Sequence, residues 1–225
     1  RRQRQMCIRD RKKMPGKKKE SLTRFNRENI IQSARALFES RGIEKTTVDD
    51  IAKEADCSKS TLYVYFKSKE EILQTILLEQ MEQLLSLLKE NIEKEGKFRD
   101  NYHAVCKAMA DYEKKYPIYF SCMLEKIELP EGQEKPDAPD VRWQIYETGE
   151  ALNEEVIVLL KKGEQESVLK KGMDPVLTAM FFWSGISEII RFSGQKEQYL
   201  KRRMNMSREA YMDYAFSLLL ESILA

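Results

Sequence analysis

The sequence predicts an all-α protein. Apolar residues recur at helical spacing along nearly the whole chain, no segment carries a two-residue β period, and helix breakers are scarce, with nine Gly and six Pro in 225 residues. Charged residues make up 34% of the chain, above the usual quarter, which fits a surface rich in helices. The length suffices for one large domain or two small ones with buried cores.

The elements follow in order. Ile30, Ile31, Ala34, Leu37 and Phe38 form one stripe, and Gly42 after Arg41 closes it as a C-cap glycine. Thr47 caps a second helix in which Val48, Ile51, Ala52 and Ala55 fall on one face, with Asp49 and Asp50 at its positive end. Asp56-Cys57 breaks the pattern, and Ser58 caps a short third helix to about Phe66. Ser68 and Glu71 are spaced as a capping box opening a long helix to about Glu93. Further helices are expected over about 101–115 and 118–127, separated by Pro117, followed by a loop from Leu129 to Pro139. A long helix runs from Val141 to Lys162, with an extension to Leu169 left open. Asp174-Pro175 starts the next, since proline is tolerated at the first helical position. A polar loop lies around 194–206, and Ser207 begins the last helix, to Leu224.

Several function classes fall away. No two of Cys7, Cys57, Cys106 and Cys122 have C-x-x-C spacing, and His103 is the single histidine, so neither a zinc site nor a disulfide framework is expected. Reduced thiols suit the cytosol; Cys57 reads as a small apolar filler of its turn. Imidazole-based catalysis would rest on His103 alone, so the chain is expected not to be an enzyme and to need no metal or cofactor. A helical-bundle enzyme is the distant alternative. The most apolar stretch, Val176 to Phe192, is interrupted by Ser184, Ser187 and Glu188 and falls short of the ~20 residues that span a bilayer. The basic N-terminus is not followed by the apolar region of a secretory signal, so a cytoplasmic protein is expected.

A net charge of +2 conceals an asymmetry. Residues 1–20 hold ten basic and two acidic side chains, leaving 29 basic and 35 acidic residues in the remainder. Such a tail is expected to be disordered and drawn to nucleic acid. Met14, followed by Pro-Gly-Lys-Lys-Lys, has the look of a natural start, so residues 1–13 are readable either as a native arm or as foreign sequence.

The stretch TTVDDIAKEADCSKSTLYVYFKSKEEIL (Thr46 to Leu73), preceded by RENIIQSARALFESRGIEKTT (Arg27 to Thr47), resembles the DNA-binding domain of the TetR/AcrR family of bacterial transcription regulators. One departure is Asp56, where the inter-helix turn usually carries glycine; Asp tolerates the left-handed conformation better than most residues. The resemblance implies a three-helix DNA-binding domain with a helix-turn-helix over 21–84, joined by the long fourth helix to a helical effector-binding and dimerisation domain over 85–225. It implies a homodimer that binds a palindromic operator and is released by a small, largely apolar effector. An activator or an effector-independent regulator is the alternative.

In a helix-turn-helix the second helix presents its N-terminal end to base edges in the major groove. Leu62 and Phe66 face the core, which turns Lys59, Ser60, Thr61 and Tyr63 outward beside the capping Ser58. Lys59 can reach guanine O6/N7, and Thr61 can offer a hydroxyl or methyl. Tyr63 and Tyr65 read as large exposed phenols. The resemblance assigns such tyrosines, and Lys69, to backbone phosphates; Lys67 and Thr47 are placed to join them. Residues 21–70 carry nine basic and eight acidic groups, so affinity must come from a local patch.

Val176 to Phe192 is apolar around its circumference, and the last helix has two stripes: Tyr211, Tyr214, Ala215, Leu218 and Leu219, and Met212, Phe216, Leu220 and Ile223. One face can pack on the chain's own core while the other needs a partner. The resemblance supplies a second subunit, with Ile186, Ile189, Tyr211, Ala215, Phe216, Leu219 and Ile223 as interface candidates. It also places an effector among the middle helices. Its candidate lining is Tyr102, Cys106, Met109, Tyr112, Tyr119, Phe120, Met123, Trp143, Tyr146, Phe182 and Trp183, whose aromatics and methionines suit an apolar ligand.

Overall fold

The computed structural model describes residues 16–125 and 140–225. The expected loop from Leu129 to Pro139 and residues 1–15 of the expected tail lie outside these. Ten helices are described: α1 Gly16–Arg41, α2 Val48–Glu54, α3 Lys59–Tyr65, α4 Lys69–Glu93, α5 Phe98–Lys115, α6 Pro117–Met123, α7 Val141–Gln165, α8 Pro175–Gln195, α9 Glu197–Met204 and α10 Arg208–Glu221. Among the described residues, none of these helices is long and apolar enough to cross a membrane. The chain forms two compact units that divide between Ile76 and Leu77, eight residues before the expected boundary.

The first unit closes around Ile30, Ile31, Ala34, Phe38, Ile51, Ala52, Leu62, Phe66, Ile72 and Ile76, all buried. Gly42 ends α1 at φ 86°, its N–H donating to the Phe38 carbonyl at 2.9 Å. α1 starts at Gly16, so residues 16–20, expected to be disordered, are helical. Further along the same helix, the Arg27 guanidinium lies 4.4 Å from the centre of the Phe66 ring, and Asn26 Nδ2 donates to the Tyr65 hydroxyl at 2.9 Å.

In the second unit α8 is packed between α7 and α10, with α5 against α7 and α8. Gly185 lets α10 approach closely, since a Cβ there would lie 2.9 Å from Leu219 Cδ2. The Tyr102 hydroxyl donates to the Phe216 carbonyl at 2.9 Å, joining α5 to α10. The segment expected as a polar loop around 194–206 contains α9, which buries only Leu200 and ends at Asn205 in the left-handed conformation, φ 51°. Outside the helices, Leu169 and Leu224 form an antiparallel bridge, so the chain's last residues are tied to the segment following α7.

One ion pair is drawn inward. Arg208 Nη2 donates to Glu113 Oε2 at 2.7 Å, with side chains only 13% and 17% exposed, and the same guanidinium reaches Ser193 Oγ and the Ile190 carbonyl. It thereby ties α5, α8 and α10 together. Arg208→Met should lower unfolding stability by about 2–3 kcal/mol, because it strands a partly buried carboxylate. Arg208→Met with Glu113→Leu should be more stable than the single variant. Urea unfolding followed by circular dichroism measures both; a single variant within about 0.5 kcal/mol of the parent contradicts the assignment.

Candidate nucleic-acid interface

The site is built from two caps and a turn. Thr47 caps α2: its Oγ1 accepts from Asp50 N–H at 3.2 Å, while Asp50 Oδ2 accepts from Thr47 N–H at 3.0 Å and from Thr47 Oγ1 at 2.7 Å. These bonds, with Arg41 nearby at 3.5 Å, hold the Asp50 carboxyl below its ordinary pKa. The turn that follows places Asp56 at φ 49°, the left-handed conformation usually given to glycine. Asn29 Nδ2 donates to the Ala55 carbonyl at 2.8 Å and pins the turn to α1. Cys57 is half-buried there, and burial raises its thiol pKa, which suits a filler.

Ser58 caps α3, its Oγ accepting from Thr61 N–H at 3.1 Å. The same oxygen lies 2.8 Å from Ser60 Oγ and 2.8 Å from Thr61 Oγ1, giving three hydroxyls in one cluster at the helix start. Leu62 and Phe66 are buried, so Lys59, Ser60 and Tyr63 point into solvent. Tyr63 is 48% exposed, and Val64, which the sequence did not single out, is also exposed. Tyr65 is half-buried and engaged with Asn26, correcting its reading as an exposed phenol.

The lysines differ in their surroundings. Lys59 Nζ pairs with Asp49 Oδ2 at 2.9 Å, which raises its pKa. Lys69 Nζ donates to the Ile43 carbonyl at 3.1 Å and is half-buried. Lys67 is exposed, and its backbone N–H donates to Glu71 Oε2 at 2.6 Å. The box at α4 is therefore shifted by one residue: Glu71 N–H donates to Ser68 Oγ, but the carboxylate caps Lys67 rather than Ser68. An open groove of about 830 Å³ runs beside this surface, bounded by Leu22, Asn26 and Asn29 of α1 on one side and Asp49, Lys59 and Thr61 on the other.

The eleven pocket candidates of the second unit do not converge on one cavity. Tyr102, Met109, Phe182 and Trp183 line a narrow apolar void with free space of only about 10 Å³. Met123, Tyr146 and Trp183 line a separate groove of about 250 Å³. Tyr112 donates to the Gln80 carbonyl at 3.0 Å and borders a third groove on another face. Cys106, Tyr119 and Phe120 are buried, with burial pushing the Cys106 thiol up to about 12. Trp143 is half-buried, edge-on to Tyr146. Helical spacing alone cannot separate residues of one face that pack from those that border a void.

The interface candidates divide similarly. Ile186, Phe216 and Ile223 are buried in the chain's own core and unavailable to a partner. Leu219 is half-buried over Gly185, and Ile189, Tyr211 and Ala215 are half-buried. The outward apolar face is instead carried by Tyr214, 60% exposed, and Leu218, 54% exposed, beside exposed Phe181 and Phe192. Glu188 is held by Arg191, whose Nη2 donates to it at 2.6 Å.

A capped seven-residue helix, projecting from a three-helix core after a tight turn, defines a helix-turn-helix DNA-binding protein. The sequence pattern of bacterial regulatory proteins of the tetR family matches residues 30–76. An uncharacterized helix-turn-helix transcriptional regulator of Bacillus subtilis is 28% identical over 100 residues, 44% of this chain and 52% of that protein, so this match spans about half of its length. A fatty acid metabolism regulator protein of the same organism is 24% identical over 165 residues, 72% of this chain and 79% of that one. The solved structure of the transcriptional regulator FadR from Bacillus subtilis, in complex with stearoyl-CoA, superposes with a TM-score of 0.65 at 22% identity, covering 87% of this chain and 98% of that one. Residues 30–76 thus carry the DNA-binding sequence pattern of the tetR family, and the chain is similar over most of its length to transcriptional regulators.

Asp56 provides a test of the turn. Asp56→Ala forces a side chain without local hydrogen-bonding capacity into the left-handed region and should cost about 1 kcal/mol, whereas Asp56→Gly should be neutral or slightly stabilising. Thermal unfolding of the three proteins side by side checks the order; an alanine variant as stable as the glycine one contradicts the strained turn.

Proposed function

We propose that the chain is a cytoplasmic homodimeric repressor that binds an inverted-repeat operator through α3 and is released by a small, largely apolar effector. The observation that carries this reading is the outward face of α3, where Lys59, Ser60 and Tyr63 are exposed while Leu62 and Phe66 hold the helix down. Lys59, Ser60, Thr61 and Val64 serve as base readers. Ser58, Thr47, Tyr63, Lys67 and the first turn of α4 take phosphates. Lys69 joins them by releasing the Ile43 carbonyl, and Tyr65 positions the helix through Asn26.

The apolar face of Phe181, Phe192, Tyr214 and Leu218 supports a two-fold dimer built on α8 and α10. Such a dimer places two recognition helices in successive major grooves, ~34–36 Å apart. The effector site is the apolar void around Tyr102, Met109, Phe182 and Trp183, opened by ligand, and the stearoyl-CoA held by FadR supports a long apolar chain as its occupant. α4, helical without interruption from Lys69 to Glu93, couples effector to DNA. A ligand favouring a conformer with another helix spacing lowers DNA affinity, and DNA lowers ligand affinity by the same factor. The closed state of the void favours one second reading, a regulator that needs no effector. Equal operator affinity with and without every tight-binding apolar ligand would favour it.

Selection of duplexes from a random pool should return an inverted repeat; no enrichment over the input pool refutes the proposal. Lys67→Ala should weaken all duplexes alike and reduce the salt slope by about one unit, whereas Lys59→Ala should change base preference. Titrations at several salt concentrations separate the two, and a Lys59→Ala profile identical to the parent's removes Lys59 from the reading face. Leu218→Glu and Tyr214→Glu should sediment as folded monomers with operator affinity reduced at least about tenfold, while Phe216→Glu, which buries a charge, should unfold the second unit. Folded dimers of Leu218→Glu at the parent's affinity would contradict the assigned interface.

A further inference from the structure

Asp49 stands in the first turn of α2, where an acid suits the helix dipole, but its carboxylate takes no part in the capping box. The capping box at Thr47 is complete with Asp50. Asp49 is 68% exposed, and its one described partner is the ammonium of Lys59, ten residues away and 49% exposed. An ion pair this exposed contributes about 0–1 kcal/mol to stability. A carboxylate on a surface that meets phosphates also weakens sequence-independent binding. Both groups border the same groove as Thr61, beside the capped start of α3.

The pair presents donors on one side and an acceptor on the other, with Nζ and Oδ2 2.9 Å apart. A G·C pair displays the reverse in the major groove: guanine N7 and O6 accept, and the adjacent cytosine N4 amino group donates. Guanine O6 and cytosine N4 are separated by one Watson–Crick hydrogen bond, about 2.9 Å, the same spacing as the ion pair.

We propose that Asp49 is a specificity-determining residue that, together with Lys59, reads one G·C pair in each operator half-site. Lys59 donates to O6 and N7, and Asp49 accepts the free N4 hydrogen of the paired cytosine. A T·A pair in the same orientation also sets an acceptor beside a donor, but it is rejected at both edges. It puts the thymine methyl next to the ammonium and the adenine N7 lone pair next to the carboxylate. The C·G and A·T orientations reverse donor and acceptor and are rejected outright. The surface of α3 alone would leave Lys59 a flexible donor to any purine N7; Asp49 narrows it to one pair in one orientation.

The assignment rests on α3 entering the major groove, and its test keeps the two claims apart. Duplex selection is run with the full-length parent, Asp49→Ala and Asp49→Asn, with thermal unfolding as a folding control. The parent should enrich one G·C pair per half-site. Asp49→Ala should still bind the selected duplex but lose about tenfold in discrimination against T·A at that position, with other positions unchanged. N4-methylcytosine at that position, which blocks the free amino hydrogen, should weaken the parent by about the same factor and leave Asp49→Ala unaffected. If Asp49→Ala binds every duplex more tightly with the parent's base preferences, the carboxylate only repels phosphate and the proposal is overturned. If the parent enriches no sequence, the DNA-binding reading falls and this one with it.

Discussion

The orientation of α3 depends on the docking of Leu62 and Phe66. A seven-residue helix does not persist in water, because nucleation costs more than one turn of hydrogen bonds returns. Burying those two side chains contributes about 1.5–3 kcal/mol each and fixes the rotation of α3 about its own axis. That rotation decides which residues point outward. Arg27 over the Phe66 ring and Asn26 on the Tyr65 hydroxyl hold the C-terminal end, while Ser58 holds the N-terminal end. The hydrophobic core therefore decides which residues of α3 stay exposed, Lys59, Ser60 and Tyr63 among them.

Local order was legible wherever a residue acts on its near neighbours. Thr47, Ser58, Asp174 and Ser207 each cap a helix as their positions in the chain predict, since a cap is a contact within three residues. The contacts that hold α1 against the end of α3 were hidden, because Asn26 and Arg27 meet partners about forty residues away. α9 was hidden for a different reason: with Leu200 its single buried residue it shows no stripe, and the available signal was Asn205, a residue that favours the left-handed helix end. Asp49 looked like an N-terminal acid interacting with the helix dipole, and only the fold brings it to Lys59.

The second unit shows where pattern reading stops. Both stripes of α10 are apolar, and composition cannot say which faces inward. The close approach at Gly185 and the bond from Tyr102 to the Phe216 carbonyl turn Met212, Phe216 and Leu220 to the core and leave Tyr214 and Leu218 outside. The same limit applies to the pocket candidates, because packing residues and cavity-lining residues share chemistry and spacing. The void at Tyr102 and Trp183 is closed, so effector binding in the proposed mechanism requires those side chains to move apart.

The central claim is that the DNA-facing surface consists of α3 and the caps on either side of it. Hydrogen exchange read by mass spectrometry, with the full chain alone and on its selected duplex, tests this most directly. Added protection should concentrate in the segments holding Thr47–Asp50, Ser58–Phe66 and Lys67–Ile72. Protection confined to residues 77–225, with α3 exchanging as it does without DNA, would contradict the account.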